Sequence, residues 1–213
     1  MRIWGYFRSS AAYRCRIGLG LKGVAAEAGF VHLRRGEQRE PAFRALNPQG
    51  LVPALETGEG VITQSLAILE WLDETHPEPA FLPGDAGHRA AIRAFAQIIA
   101  CDIHPLQNLR VLDYLRAEFG QDQDGLNRWC QRWIGEGLMA CESILAARGG
   151  PGPFCFGESP TLADICLVPQ VFSADRFGVD LDPMPRVREI HRICNELPAF
   201  ASAHPARQPD HEA

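Results

Sequence analysis

The sequence predicts an α/β domain followed by an all-α one. Three observations carry that reading. Residues 1–76 alternate short apolar runs with helical ones in the order β-α-β-(α)-β-β-α. The stretch His76-Pro77-Glu78-Pro79-Ala80-Phe81-Leu82-Pro83 then sets prolines where neither a helix nor a central strand survives. Beyond it, apolar residues recur at helical spacing. The expected division is 1–76, a linker over 77–84, and a helical domain over 85–213.

Arg2 to Phe7 reads as a first strand, and Ala11 to Lys22 as a helix stopped by Gly23. Gly18 and Gly20 inside that helix each cost roughly 1 kcal/mol against alanine, which close packing on the sheet would offset. Phe30-Val31-His32-Leu33 reads as a second strand. Arg34 to Glu40 reads as a mobile loop into a short helix over Ala42 to Leu46. Pro53 to Glu56, Thr57-Gly58-Glu59-Gly60 and Val61-Ile62-Thr63 form a hairpin pattern. Ser65 to Glu74 is the helix that closes this half. The order fits a thioredoxin-like sheet with helices on its faces.

In the second half, Arg89 to Tyr114 carries Ile92, Phe95, Ile99 and Ile103 in steps of three or four. Leu126 to Ala147 holds Trp129, Trp133, Leu138 and Ile144 in a second helix. Pro151 to Ser159 breaks the pattern. Thr161-Leu162-Ala163-Asp164 then reads as a capping box, with Asp164 reaching back to the Thr161 N–H. That makes Asp164 a folding element rather than a catalyst. Pro185 to Leu197 is the last clear helix, and Arg207 to Ala213 reads as a frayed tail.

Composition excludes several classes. A net charge of −5 over 213 residues argues against nucleic-acid and anionic-membrane surfaces. No run approaches the ~18 apolar residues of a membrane helix, and the first residues are already strand-like, which excludes a signal peptide. The seven cysteines contain no Cys-x-x-Cys pair and read as buried free thiols in a reducing cytoplasm. No His/Cys/Asp/Glu spacing suggests a metal, and the glycines form no phosphate loop. Lys22 is the only lysine among 21 lysines and arginines.

Asn47-Pro48-Gln49-Gly50-Leu51-Val52-Pro53-Ala54-Leu55-Glu56 combines turn chemistry with a strand that opens on a proline. Pro53 cannot donate to a ladder and holds Val52 extended. A cis Val52–Pro53 bond would turn the Val52 N–H and C=O out of the sheet, where a short extended peptide could pair with them. The alternative is an ordinary surface turn.

The strings FRSSAAYRCRIGLGLKG, NPQGLVPAL, TQSLAILEWL and DIHPLQNLR resemble the zeta class of glutathione transferases, which includes maleylacetoacetate and maleylpyruvate isomerases. The resemblance runs from Ile3 to Pro209. It implies the glutathione transferase fold, glutathione as cofactor, a homodimer, and a small dicarboxylate keto acid as substrate. One departure stands out: where the class commonly has cysteine after its two serines, this chain has Ala11, which removes protein thiol chemistry from that position.

The resemblance also gives the polar residues roles. Glutathione works as a thiolate, and an unperturbed thiol titrates near ~8.5. Ser9 stands just before the first helix, where a hydroxyl and free N–H groups favour an anion. Read without the resemblance, Ser9 and Ser10 are rather a plain N-cap pair. Gln64 and Ser65 suit the γ-glutamyl end of glutathione, or else form an ordinary cap. Val52 would pair with the cysteinyl backbone, and Gln38, His104 and Asn108 would touch the rest. Pro105 is expected to kink its helix.

Arg8, Arg110 and Arg176 stand where the resemblance places substrate carboxylates, which a guanidinium fork suits. Arg176 has Asp175 and Asp180 as alternative partners. The resulting function is cis–trans isomerisation of a maleyl keto acid, in which the glutathione thiolate adds, the bond rotates and the thiolate leaves. A conjugating transferase or dehalogenase, or a non-catalytic module on the same fold, are the competing readings.

Overall fold

The computed structural model describes residues 1–150 and 152–212. The chain divides into two compact units, Met1–Phe81 joined by the residues from Glu196 onward, and Leu82–Asn195. This differs from the expected boundaries at the C-terminus, where the chain returns to the first unit. Pro151 and Ala213, which fall in the expected break and tail, lie outside the described residues.

In the first unit, strands β1 (Arg2–Gly5), β2 (Glu27–Phe30), β3 (Ala54–Thr57) and β4 (Gly60–Thr63) form one sheet in the order β2-β1-β3-β4. β2 runs parallel to β1, while β3 is antiparallel to both β1 and β4. Side chains alternate faces along each strand. Trp4 and Ala54 join Val31 and Phe43 in one cluster, the last from helix α2 (Pro41–Leu46). Leu55, one residue on from Ala54, is fully buried. Helices α1 (Ser10–Lys22) and α3 (Ser65–Thr75) pack on each other.

The second strand sits earlier than the apolar pattern indicated. It is Glu27–Phe30, and His32 instead caps a 3₁₀ turn over Leu33–Arg35, its Nδ1 accepting the Arg35 N–H at 3.1 Å. An edge strand needs only backbone pairing on one side, so Glu-Ala-Gly-Phe suffices. The apolar Val31 and Leu33 belong to the loop that covers Phe43. Gly29 is required because a Cβ there would lie 2.6 Å from the Trp4 indole. Residues 34–40, expected as a mobile loop, form two 3₁₀ turns.

The glycines of α1 serve helix packing rather than the sheet. A Cβ on Gly18 would strike Leu69 of α3, and one on Gly20 would meet Ala199 at 3.2 Å. Ala199 belongs to α9 (Pro198–Ala203), which packs along α1. The tail beyond it is anchored rather than frayed: Asp210 accepts the Phe7 N–H at 2.8 Å, and Glu212 bonds His32 and Arg35. Lys22 joins Asp73 at 2.7 Å and the Pro79 carbonyl at 2.6 Å, over the Phe81 ring. The proline segment is thereby fixed at Phe81, which is buried.

The second unit holds α4 (Ala86–Gln97), α5 (Leu109–Phe119), α6 (Gln123–Arg148), α7 (Leu162–Phe177) and α8 (Pro185–Glu196). Its core gathers Ile92 and Phe95 of α4, Ile134 and Leu138 of α6, and Ile165 to Val168 of α7. The single helix expected over 89–114 is broken. A π-helical segment (Ile98–Ile103) and a 3₁₀ turn (His104–Gln107) separate α4 from α5. Pro105 lacks the N–H that would continue an α-helix, so the chain changes winding there.

The capping box at α7 is present and extended. Asp164, wholly buried, accepts the Thr161 N–H and hydroxyl at 2.8 and 2.9 Å and the Cys155 N–H at 2.8 Å. Burial pushes its carboxyl upward while these donors pull it down. Asp164→Ala is expected to lower unfolding stability by about 3 kcal/mol, since two buried N–H groups lose their acceptor. Urea denaturation measures it, and a loss under about 1 kcal/mol would show that the carboxylate is not the anchor of this cap.

Candidate active site

Two helix starts meet the edge of the sheet in the first unit. β1 delivers the chain to a turn in which Ser9 N–H bonds the Tyr6 carbonyl at 3.0 Å. Ser9 is the N-cap of α1, and its Oγ accepts the Ala12 N–H at 3.2 Å. The capping reading of Ser9 is therefore met. The cap occupies an oxygen lone pair, and the hydroxyl proton is left for another acceptor. Ser10 is the first residue of α1 and is buried.

Val52–Pro53 is cis, as expected. Val52 lies outside the β1–β3 ladder, which begins at the Trp4–Ala54 pair. Among the described residues no loop hydrogen bond takes its N–H or C=O. The turn before it is held by Asn47, whose side chain bonds the Leu51 carbonyl and the Gln49 N–H. Gln38 is buried with its Oε1 unpaired among the described residues, and its carbonyl stands 2.8 Å from where a Gly50 Cβ would lie. Gly50, at φ +62°, is thus fixed by both conformation and contact.

Gln64 occupies the cap position of α3 at φ +71°, the one non-glycine residue with positive φ among those described. Strain of this kind costs about 1–3 kcal/mol and gathers at ligand clamps. Its amide donates to Gln49 Oε1 at 2.7 Å. Ser65, expected as the cap, is instead the first helical residue, because Gln64 already turns the chain. The Ser65 hydroxyl accepts from Arg14 Nη1 at 3.2 Å. Arg14 is 1% exposed, and its Nε and Nη2 find no partner among the described residues. A buried cation thus stands behind the N-terminus of α3, and both favour an anion there.

Sequence reasoning missed Arg14 and Gln49. The available signal was Arg14 inside an otherwise apolar helical face; Gln49 offered only its place in the turn. A cavity of about 250 Å³ in this unit is lined by Tyr6, His32, Glu37, Asp210 and Glu212, and none of Ser9, Val52, Gln64 or Ser65 borders it.

The remaining expected residues are divided between the two units. Arg8 lies beside Ser9 in the first unit, its guanidinium 5.8 Å from the Phe7 ring centre. In the second unit, half-buried His104 opens the 3₁₀ turn, and Asn108 caps α5 by accepting the Arg110 N–H at 3.1 Å. Arg110 is exposed at that helix start. Arg176 is also exposed, over the Phe177 ring at 4.5 Å. Among the described residues no cluster fits a metal ion, and no helix is long and apolar enough to cross a membrane.

One thiol reaches this site: Cys15 Sγ, buried in α1, donates to the Ser65 carbonyl at 4.0 Å. None of the seven cysteines is in a disulfide, and Cys101 is exposed, against the expectation that all are buried. Burial pushes Cys130 up to about 11 and Cys141 up to about 12.

Comparison with known proteins gives the family. Residues 8–75 match the glutathione S-transferase N-terminal domain, and residues 109–195 the C-terminal domain. A maleylpyruvate isomerase from a Ralstonia species is 52% identical over 99% of both chains. The holo structure of a maleylpyruvate isomerase described as a bacterial zeta-class glutathione S-transferase superposes at TM-score 0.98, with 51% identity and full coverage of both chains. A maleylacetoacetate isomerase from Methylobacterium extorquens AM1, with bound malonate and glutathione, superposes at 0.96 with 41% identity, again over both whole chains.

The chain belongs to the glutathione transferase family, in its zeta class.

A chromogenic disulfide reagent is expected to titrate Cys101 alone in the native protein and seven thiols after unfolding. Rapid reaction of a second native thiol would contradict the burial of the rest.

Proposed function

We propose that this chain is a glutathione-dependent cis–trans isomerase of maleyl keto acids, either maleylacetoacetate or maleylpyruvate. We place it in the breakdown of aromatic compounds, in the cytoplasm and as a homodimer. The observation that carries the reading is Ser9, a capping hydroxyl with its proton unspent at the start of α1, in a chain whose relatives bear both isomerase names.

Glutathione, when bound, supplies the thiol whose ionised form adds reversibly to the keto acid's double bond. Ser9 donates its hydroxyl proton as a hydrogen bond to that sulfur and holds it ionised. Lowering the thiol by two units takes ~2.7 kcal/mol, within reach of one charge-assisted bond and a helix N-terminus. The Val52 N–H and C=O pair with the cysteinyl backbone as an added strand. Arg14 fills a lone pair of Ser65, so the Ser65 hydroxyl points its proton outward to the γ-glutamyl carboxylate. Gln64 bonds the same end, and Gln38, Ser10, His104 and Asn108 complete the glutathione contacts.

Arg8, Arg110 and Arg176 bind the substrate's carboxylates and the negative charge that develops on the keto acid. A turnover assay with catalytic glutathione on both maleyl acids tests the function. Loss of glutathione in step with product would mark a conjugating transferase, and failure to bind immobilised glutathione a non-catalytic module.

Ser9→Ala is expected to lower kcat about a hundredfold, the scale of losing one donor to a developing anion, with glutathione affinity little changed. The thiolate absorbance of bound glutathione should titrate at higher pH in this variant. An unchanged midpoint removes Ser9 from the role. Replacing Arg8, Arg110 or Arg176 by Met should reduce kcat/KM for the dicarboxylate about tenfold or more while sparing conjugation of a neutral electrophile. Equal losses on both substrates would defeat the assignment.

A further inference from the structure

Ser9 is fixed on its helical side by α1, through the Ala12 N–H on its Oγ and the Tyr13 N–H on its carbonyl at 2.9 Å. Its other side depends on Tyr6 and Phe7, after β1 has ended at Gly5. Phe7 is 6% exposed and outside the strand, so its backbone groups have neither ladder nor bulk water. The N–H is taken from the far end of the chain and the carbonyl from the helix that follows. Asp210 Oδ2 accepts the Phe7 N–H at 2.8 Å, and Arg16 Nη2 donates to the Phe7 carbonyl at 2.9 Å. Arg16 Nε also donates to the Ala203 carbonyl at 3.0 Å, which ties the same guanidinium to the end of α9. His211 sets its ring edge-on to Phe7 at 5.2 Å, and Glu212 is held by His32 and Arg35.

We infer that Asp210 is a positioning residue for Ser9: the C-terminal segment, with Arg16, clamps the Phe7 backbone from both ends and so fixes where the Ser9 hydroxyl stands. The inference rests on Ser9 acting on the glutathione sulfur. Arg16 is the natural counter-charge, since burial lowers its guanidinium to about 10 while Asp210 opposes that fall. The role inferred for Asp210 is geometric, through the Phe7 N–H. Its contribution is the acceptor oxygen, and an amide keeps one.

The experiment compares Asp210→Ala, Asp210→Asn and Ser9→Ala in the full chain, reading kcat, KM for glutathione, and the pH midpoint of the bound thiolate. Asp210→Ala is expected to lower kcat about tenfold, as small displacements of a catalytic group do. The thiolate midpoint should rise by about one unit, with KM for glutathione within about twofold. Asp210→Asn should restore most of both. Saturating glutathione at low temperature keeps the alanine variant native during the titration, even where its stability is reduced. If Ser9→Ala shifts the midpoint and Asp210→Ala does not, the clamp is overturned and the role of Ser9 stands. If Asp210→Asn is as impaired as Asp210→Ala, the carboxylate acts by charge and the positioning role is overturned. If Ser9→Ala shifts nothing, both readings fall together.

Discussion

Helix α1 is buried along nearly its whole length, from Ser10 to Leu19, and it carries cations into that burial. Arg14, Arg16 and Lys22 each have to find partners away from water, because an unpaired buried charge is strongly destabilising. Each bonds a different part of the first unit, Arg14 through Nη1 alone among the described residues. Arg14 reaches the start of α3, Arg16 spans the end of β1 and the end of α9, and Lys22 holds Asp73 and the proline segment. The cations therefore act as fasteners, drawing the remote pieces of this unit onto one helix. Close approach of α3 and α9 follows from Gly18 and Gly20, which leave no side chain between the helices.

The same arrangement makes the site. The helix that binds the unit together also presents its N-terminus beside the exit of β1, where Ser9 sits. The fastener at Arg14 is also the group that orients Ser65. Structural side chains thus stand where the proposed chemistry would need them, and the strained Gln64 is tolerated because the turn around Asn47 and Gln49 and the first turn of α3 over-determine it.

The helical unit follows another logic. Its helix α7 is buried continuously from Leu162 to Val171, so its polar start cannot be left to solvent. Asp164 meets that need with its three hydrogen bonds, tying the 152–161 segment to the helix. The break between α4 and α5 is the opposite case. There the sequence interrupts a helix, and the chain passes through π and 3₁₀ winding that brings His104 and Asn108 to a helix end.

The sequence by itself determined what depends on near neighbours. Helix starts and stops at Ser9, Gly23 and Thr161, the two-residue hairpin turn after Thr57 and the proline break at Pro105 follow from backbone conformation and local hydrogen bonding, which a few residues fix. The cis bond at Val52–Pro53 is of another kind: the local pattern alone fits an ordinary surface turn, and the family resemblance carried the expectation. Only the tertiary structure decided what depends on distant partners. The edge strand Glu27–Phe30 has no apolar alternation to show, since its pairing is through backbone alone. The pairing of Arg14 with Ser65, the strained Gln64 and the anchored tail at Asp210 all join positions far apart in the chain. Nothing in the composition of residues 207–212 separates a clamp from a loose end. The difference lies in Phe7, whose buried N–H needs an acceptor that only the folded chain brings to it.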